Sequence, residues 1–222
     1  MDDRLDVIFE GLKQKSTTKQ TIYRNTCITF EKLKRISAEL VEELSNRISP
    51  VDSHVVIEFR NISDFEFHIK FSGDLLIFIM HSNIITFPET HEFMKTPYVE
   101  GDFRRRFFGN IMAYNFMADT LKYHRMDDYG YLLGRLLVNI ENHFYLQSVK
   151  QLDLVRHDME HNVIDDEILR ILVESAMIAA INNDLVAPKL SEIKKITYKE
   201  KVENQQLSGG RKVGFIFSFD KV

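Results

Sequence analysis

The chain has 222 residues, of which 44% are hydrophobic and 28% are charged, with one cysteine, no tryptophan and a formal net charge of -4. This composition is that of a globular protein with enough apolar material for its own core, so it excludes a wholly disordered chain. A single cysteine excludes an intrachain disulfide, and the net negative charge argues against a surface devoted to nucleic acid.

No stretch of the sequence has the length and apolarity of a transmembrane helix. The longest uninterrupted apolar run, from Leu75 to Met80, is far shorter than the ~18 residues needed to cross a bilayer. The first residues, Met1 to Arg4, lack the basic-then-apolar order of a secretory signal. We therefore expect a cytoplasmic protein without membrane association.

Apolar residues recur at helical spacing over residues 1–49 and predict a helical N-terminal segment that ends at Pro50. In its second half the apolar stripe opposes a charged face that includes Lys34. Polar and β-branched residues at 16–18 interrupt the stripe, so two helices and one long helix are both open. One continuous helix would be ~70 Å long and would project from the body or pair with a second copy.

After Pro50 the hydrophobic period changes to two, which predicts an α+β domain over residues 50–222. The first four strands are expected to form an antiparallel meander, with Gly73 supplying a positive φ in one tight turn and 81–83 forming another. These strands are predicted at residues 54–60, 65–71, 75–80 and 84–87.

The rest of the domain is expected to alternate between hairpins and helices. Residues 111–121 fit a helix or a strand, and we predict a helix; a buried helix is predicted from about Asp165 to about Asn182. Two further hairpins are predicted, joining 132–138 to 143–147 and 193–202 to 212–219. The predicted fold class is therefore α+β: a mainly antiparallel sheet built from hairpins, preceded by a long helix or helical hairpin and packed with a buried helix of the C-terminal half.

One motif suggests metal chemistry. His157, Glu160 and His161 fit the H-x-x-E-H pattern of inverted zinc peptidases, in which two imidazoles four residues apart bind zinc and the glutamate polarises a water molecule. A zinc-dependent hydrolase is therefore one alternative, with Glu160 as the catalytic residue. The opposing interpretation is a solvated, charged connection without a cofactor, and we favour it because so short a match arises easily by chance.

A second motif suggests anion or nucleic-acid binding. The basic triplet Arg104, Arg105 and Arg106 lies between phenylalanines, and guanidinium groups with aromatic rings can bind phosphates and stack on unpaired bases. Single-stranded nucleic acid or nucleotide binding is therefore another alternative. The opposing interpretation, which we favour, is that the rings anchor a loop in the core while the arginines pair with nearby acids, among them Glu100, Asp102 or Asp119.

The leading hypothesis is a non-catalytic binding or regulatory module. Motifs for a phosphate-binding loop, a dinucleotide fold and a serine nucleophile elbow are absent from the sequence, whereas an amphipathic helix longer than the body requires is present. Its partner would be another protein or a second copy of the chain, as in a homodimer. The expected contact residues of this interaction helix are Phe30, Leu33, Ile36, Leu40 and Leu44.

Overall fold

The computed structural model of the chain describes residues 3–148, 161–183, 185–186, 198 and 216–217. These residues have the expected α+β architecture, in which a long N-terminal helix and a later helix pack on a six-stranded antiparallel sheet. The helices are α1 (Arg4–Gly11), α2 (Thr17–Ile48), α3 (Pro97–Gly101), α4 (Ala118–Lys122) and α5 (Asp166–Ile181). The strands of the sheet, which are neighbours in chain order, are β1 (Ile57–Ser63), β2 (Glu66–Phe71), β3 (Asp74–Thr86), β4 (Phe107–Met117), β5 (Tyr131–Val138) and β6 (Phe144–Ser148).

The N-terminal segment is helical from Arg4 to Ile48, and its two α-helices are joined by a π-helical turn, Leu12–Ser16. The hydroxyl groups of Thr17 and Thr18 donate to the carbonyl oxygens of Lys13 and Gln14, four residues earlier. Such back-bonding competes with the regular helical ladder and widens it locally. The threonines that weaken the sequence pattern therefore change the helix type without ending the helix.

One face of the sheet is covered by α2 and α5. Phe67 and Ile69 on β2 are fully buried on this face and form one core with Phe30, Leu33 and α5 residues such as Leu169. Burial of this apolar surface is the main force that holds the helices on the sheet.

Ion pairs link α2 to α5 beside this core, among them Lys32 with Asp166 at 3.1 Å and Arg170 with Glu43 at 2.7 Å. The expectation for the charged face of α2 is wrong at Lys34, which is only 7% exposed. Its ammonium group lies 2.8 Å from Glu31 and donates to the carbonyl of Ser63 at 3.0 Å.

The predicted meander has three strands in place of four. β3 is 13 residues long and spans both the third and the fourth predicted strands. Its pairing with β4 shifts between His81 and Ile85, so residues 81–83 form part of a bulge where a turn was expected. At the other end of β3 it is Ser72, with φ of 50°, that takes the positive φ expected of Gly73.

The helix predicted over residues 111–121 is also wrong, because most of this segment belongs to β4. β4 pairs with β3 on one side and with β5 on the other, and residues on both of its faces are buried. A strand that is covered on both faces loses the alternation that distinguishes it from a helix. Only the last residues, Ala118–Lys122, are helical.

The later elements follow the sequence more closely. The hairpin of β5 and β6 and the helix α5 are confirmed, and Asp165 caps α5 by accepting a hydrogen bond from the Ile168 amide at 2.7 Å. The last predicted hairpin lies almost wholly outside the described residues. Of its residues, Ile216–Phe217 (β8) pair antiparallel with Leu185–Val186 (β7). Within the described ranges, no helix combines the length and apolarity needed to span a bilayer.

Candidate functional site

The stripe that the sequence suggested as an interaction surface lies in the protein's own core. Phe30, Leu33, Ile36 and Leu40 are buried against the sheet, and Leu44 packs partly buried beside them. The chain itself therefore covers Phe30, Leu33, Ile36 and Leu40, and leaves only Leu44 partly exposed. A helical apolar stripe predicts only that some surface covers it, and here that surface is the chain's own sheet.

The exposed part of the helical segment lies before this core. Every residue from 3 to 17 is exposed, and α1 buries no residue at all. At 1.5 Å per residue, α1 and the π-helical turn together extend about 20 Å before the helix begins to bury side chains. This projecting part of the helix is the least covered apolar surface of the described N-terminal region.

The projecting helix carries its own apolar stripe, formed by Leu5, Ile8, Phe9 and Leu12, which we call the α1 stripe. The spacing of i, i+3, i+4 and i+7 places these side chains on one face of the helix, and each is between 56% and 69% exposed. Exposed aliphatic and aromatic side chains occur singly on most surfaces, but a contiguous helical face is typical of an interaction site.

Charged residues flank the α1 stripe at both ends. Asp3 and Asp6 lie with Arg4 at the N-terminal end, where Asp3 also caps the helix by accepting from the Leu5 amide at 3.2 Å. Glu10 lies nearer the other end, where it pairs with Lys13 at 3.1 Å. Lys13 and Lys15 lie in the π-helical turn at the other end. The projecting helix therefore has a net negative, or acidic, N-terminal end and a net positive, or basic, C-terminal end.

The arginine triplet forms a short helical turn, Phe103–Arg106, between α3 and β4. Arg104 pairs with Asp102 at 2.7 Å, Arg105 with Glu141 at 2.9 Å, and Arg106 with Glu89. Of the neighbouring rings, Phe107 and Phe108 are buried whereas Phe103 is 55% exposed. Each guanidinium group is thus already paired with a carboxylate, and of the acids expected as partners only Asp102 is used.

Arg105 belongs to a polar network that fastens α3 to the turn between β5 and β6. The hydroxyl of Tyr98 donates to Glu141 and accepts from the side-chain amide of the buried Asn139, both at 2.7 Å. Arg105 holds the other carboxylate oxygen of Glu141 and lies 4.4 Å from the centre of the Tyr98 ring. His143 completes the network, with Nδ1 3.2 Å from the Tyr98 hydroxyl.

The network shifts the ionisation of two of its members. Burial, followed by the hydrogen bond to Glu141, raises the pKa of Tyr98 well above its usual value. Burial by itself would raise the pKa of Glu141, but hydrogen bonds from Tyr98 and Arg105 outweigh it and leave that pKa lowered. Both shifts favour a neutral phenol beside an ionised carboxylate, which suits a structural role for the network.

Two of the three residues of the zinc motif, His157 and Glu160, lie outside the described residues. His161 is described and exposed. Across the described part of the chain, no three or more histidine, cysteine or acidic side chains lie together in a way that could hold a metal ion.

Comparison with protein-family models, with curated proteins and with solved structures gives no match. Function must therefore be argued from the geometry of the chain itself. The residues of the α1 stripe belong to the helical periodicity of the sequence, but nothing local distinguishes them from Phe30 or Leu33. Only the extent of the sheet decides which part of the stripe is covered.

Proposed function

We propose that this protein is a non-catalytic interaction module of the cytoplasm, and that it self-associates by pairing the α1 helices of two copies. The observation that carries the proposal is the α1 stripe, four large apolar side chains, each more than half exposed, on one face of a helix that buries none of its residues. The cytoplasmic location is supported by the single cysteine, which is typical of chains that need no disulfide.

An antiparallel arrangement of the two helices suits the order of residues in the stripe. In a two-fold symmetric antiparallel contact, an axis between Ile8 and Phe9 would place Ile8 of one copy opposite Phe9 of the other. The same axis would place Leu5 of one copy opposite Leu12 of the other. The same arrangement would place the acidic end of one helix near Lys13 and Lys15 of the other. Parallel pairing would instead bring like charges together at both ends.

The size of the stripe sets the expected strength of the contact. Its side chains expose roughly 100 Å² each, so pairing would bury on the order of 1,000 Å² from both copies together, at the low end for a specific interface. We therefore expect a reversible dimer with a dissociation constant in about the micromolar range.

Sedimentation velocity or light scattering after size exclusion, from about 5 to about 500 µM protein, would test this. The unchanged chain should shift from monomer to dimer as concentration rises. Phe9→Glu and Ile8→Glu should each keep the chain monomeric, because either would bury an unpaired carboxylate between the helices.

Val7→Glu is the matched control, since Val7 is 63% exposed on the same helix but lies outside the stripe, two residues from Phe9. This variant should dimerise like the unchanged chain. A chain that stays monomeric over the whole range contradicts self-association through α1. A dimer that survives both stripe variants contradicts the assignment of the contact to these side chains.

A further inference from the structure

The face of the sheet opposite α2 and α5 carries a cavity of about 640 Å³ beside the β2–β3 turn and the start of α4. Side chains alternate along a strand, so on β2 the neighbours of the core residues Phe67 and Ile69, namely His68 and Lys70, face this cavity. Cavities of 300–1,000 Å³ are the usual size for small-molecule sites. The volume is thus sufficient for a ligand larger than a single ion.

His68 is buried at the cavity with half of its hydrogen-bonding capacity unused. It is only 4% exposed, and its Nε2 lies 2.6 Å from a carboxylate oxygen of Glu66. Its Nδ1 is buried and has no hydrogen-bond partner among the described residues. Buried polar atoms are nearly always satisfied, so an unpartnered ring nitrogen on a residue that lines a cavity is a hydrogen-bonding position that a ligand could use.

Three cationic side chains from three different elements line the same cavity. Arg60 comes from β1, Lys70 from β2 and Lys122 from the end of α4, and Asp119 is the one carboxylate among the lining residues. Glu58, close by, accepts from Arg60 at 3.0 Å and lies 4.0 Å from Lys70, so one carboxylate is shared by two cations. The convergence of positive charge on one concave site favours an anion there.

Most of the remaining lining residues, apart from Ser72, are apolar or glycine. Leu75 is almost fully buried, and Met117 and Leu121 extend this surface from the end of β4 into α4. A site for an inorganic ion needs no apolar surface, whereas pockets for organic ligands are lined mainly by apolar side chains. The cavity therefore offers an apolar wall and a cationic side to the same ligand.

We propose that this cavity binds a small organic phosphate. The organic part would lie against Leu75, Met117 and Leu121, the phosphate oxygens would pair with Arg60, Lys70 and Lys122, and His68 Nδ1 would contact a hydroxyl or phosphate oxygen of the ligand. Three cations suit a phosphate monoester, which carries nearly two negative charges at neutral pH, better than they suit a carboxylate, which carries one. The site lies on the sheet and does not depend on pairing of α1.

Calorimetric titration of the full chain with phenyl phosphate at about pH 7.5 would test the proposal, since this probe combines an apolar ring with a doubly charged phosphate. Saturable binding of one molecule per chain is expected, weakening as salt is added. Benzoate should bind about tenfold more weakly and benzyl alcohol more weakly still, because they carry less charge or none. Inorganic phosphate, which lacks the ring, should also bind more weakly.

Lys122→Gln removes an exposed cation and should weaken phenyl phosphate binding about tenfold. The double variant that also carries Lys70→Gln should bind more weakly still. Lys95→Gln, the same change at an exposed lysine that does not line the cavity, should leave binding within about twofold. In addition, the imidazole ¹⁵N signals of His68, identified by their loss in His68→Gln, should move on titration.

Several results would overturn the proposal. Saturation that is not reached at about 10 mM phenyl phosphate would mean that the cavity is no phosphate site. Equal affinity for benzyl alcohol would assign binding to the apolar wall alone. Unchanged affinity in both lysine variants, with His68 signals that do not move, would place the probe elsewhere on the chain.

Discussion

Gly109 on β4 lies directly against Thr26 on α2. A Cβ atom added at Gly109 would lie 2.7 Å from the Cβ of Thr26 and closer still to its hydroxyl, distances that packed side chains do not show. Thr26 is buried and its hydroxyl donates to the carbonyl of Ile22 at 2.7 Å, so it cannot turn away without losing that bond. The helix can approach the central strand here because position 109 has no side chain.

Gly109→Ala should therefore lower the free energy of unfolding by about 1–3 kcal/mol, because the added methyl group forces α2 away from the sheet. Urea denaturation followed by circular dichroism would measure the loss as a lower midpoint. Gly11→Ala is the control, since a Cβ there meets nothing within 4 Å and the residue lies in the projecting helix. Equal midpoints for the two variants would show that the contact with Thr26 is easily relieved.

Tyr98→Phe should lower the free energy of unfolding by about 1–3 kcal/mol at neutral pH, because Glu141 and Asn139 would each lose a buried partner. Thermal and urea unfolding would measure this. Tyr145→Phe offers a comparison at a tyrosine that packs against Phe87 and Phe93 through its ring. The prediction fails if Tyr98→Phe and Tyr145→Phe lower the free energy of unfolding by the same small amount.

The raised pKa of Tyr98 also predicts a dependence on alkaline pH. The folded state favours the neutral phenol, so this stabilisation is fully present below the unfolded pKa of about 10 and is lost as pH rises towards the folded pKa. Above pH ~10 the unchanged chain should lose up to about 1.4 kcal/mol per pH unit more than Tyr98→Phe. Parallel curves of stability against pH for the two proteins would contradict the shift.

Ser72→Gly should raise the free energy of unfolding by about 0.5–1 kcal/mol. Ser72 has a φ of 50°, a conformation that costs a serine more than it costs glycine, although glycine also gains freedom in the unfolded chain. Asn142→Gly is the matched control, because its φ is 59° and asparagine adopts this region more readily than serine. Urea midpoints should rise for Ser72→Gly and rise less for Asn142→Gly; the reverse order would refute this account.

Asp165→Ala should lower the free energy of unfolding by about 1 kcal/mol, because the Ile168 amide would lose its cap at the start of α5. Glu167→Ala removes the same charge from the first turn of the helix without removing a capping bond, and should cost about 0.5 kcal/mol or less. Urea denaturation of both variants would separate the hydrogen bond from the helix dipole. Equal losses would assign the whole effect to charge.

Local periodicity was enough to identify the elements that have one covered face. The long N-terminal helix, β2 with its buried Phe67 and Ile69, and α5 with its acidic first turn could all be predicted from the sequence. In these elements the apolar residues repeat at the period of the backbone itself, so each pattern indicates one type of secondary structure. The α+β class followed from their order along the chain.

The tertiary structure decided the features that depend on what covers each surface. β4 is buried on both faces and so lost the alternation that marks a strand, and the stripe of α2 became core because the sheet lies against it. The same sheet ends before α1, which leaves Leu5 and Phe9 exposed, and it brings Arg60, Lys70 and Lys122 to one cavity. Sequence periodicity records which side chains avoid water, but contacts between residues far apart in the chain determine which surface shields them and which remain open to a partner or ligand.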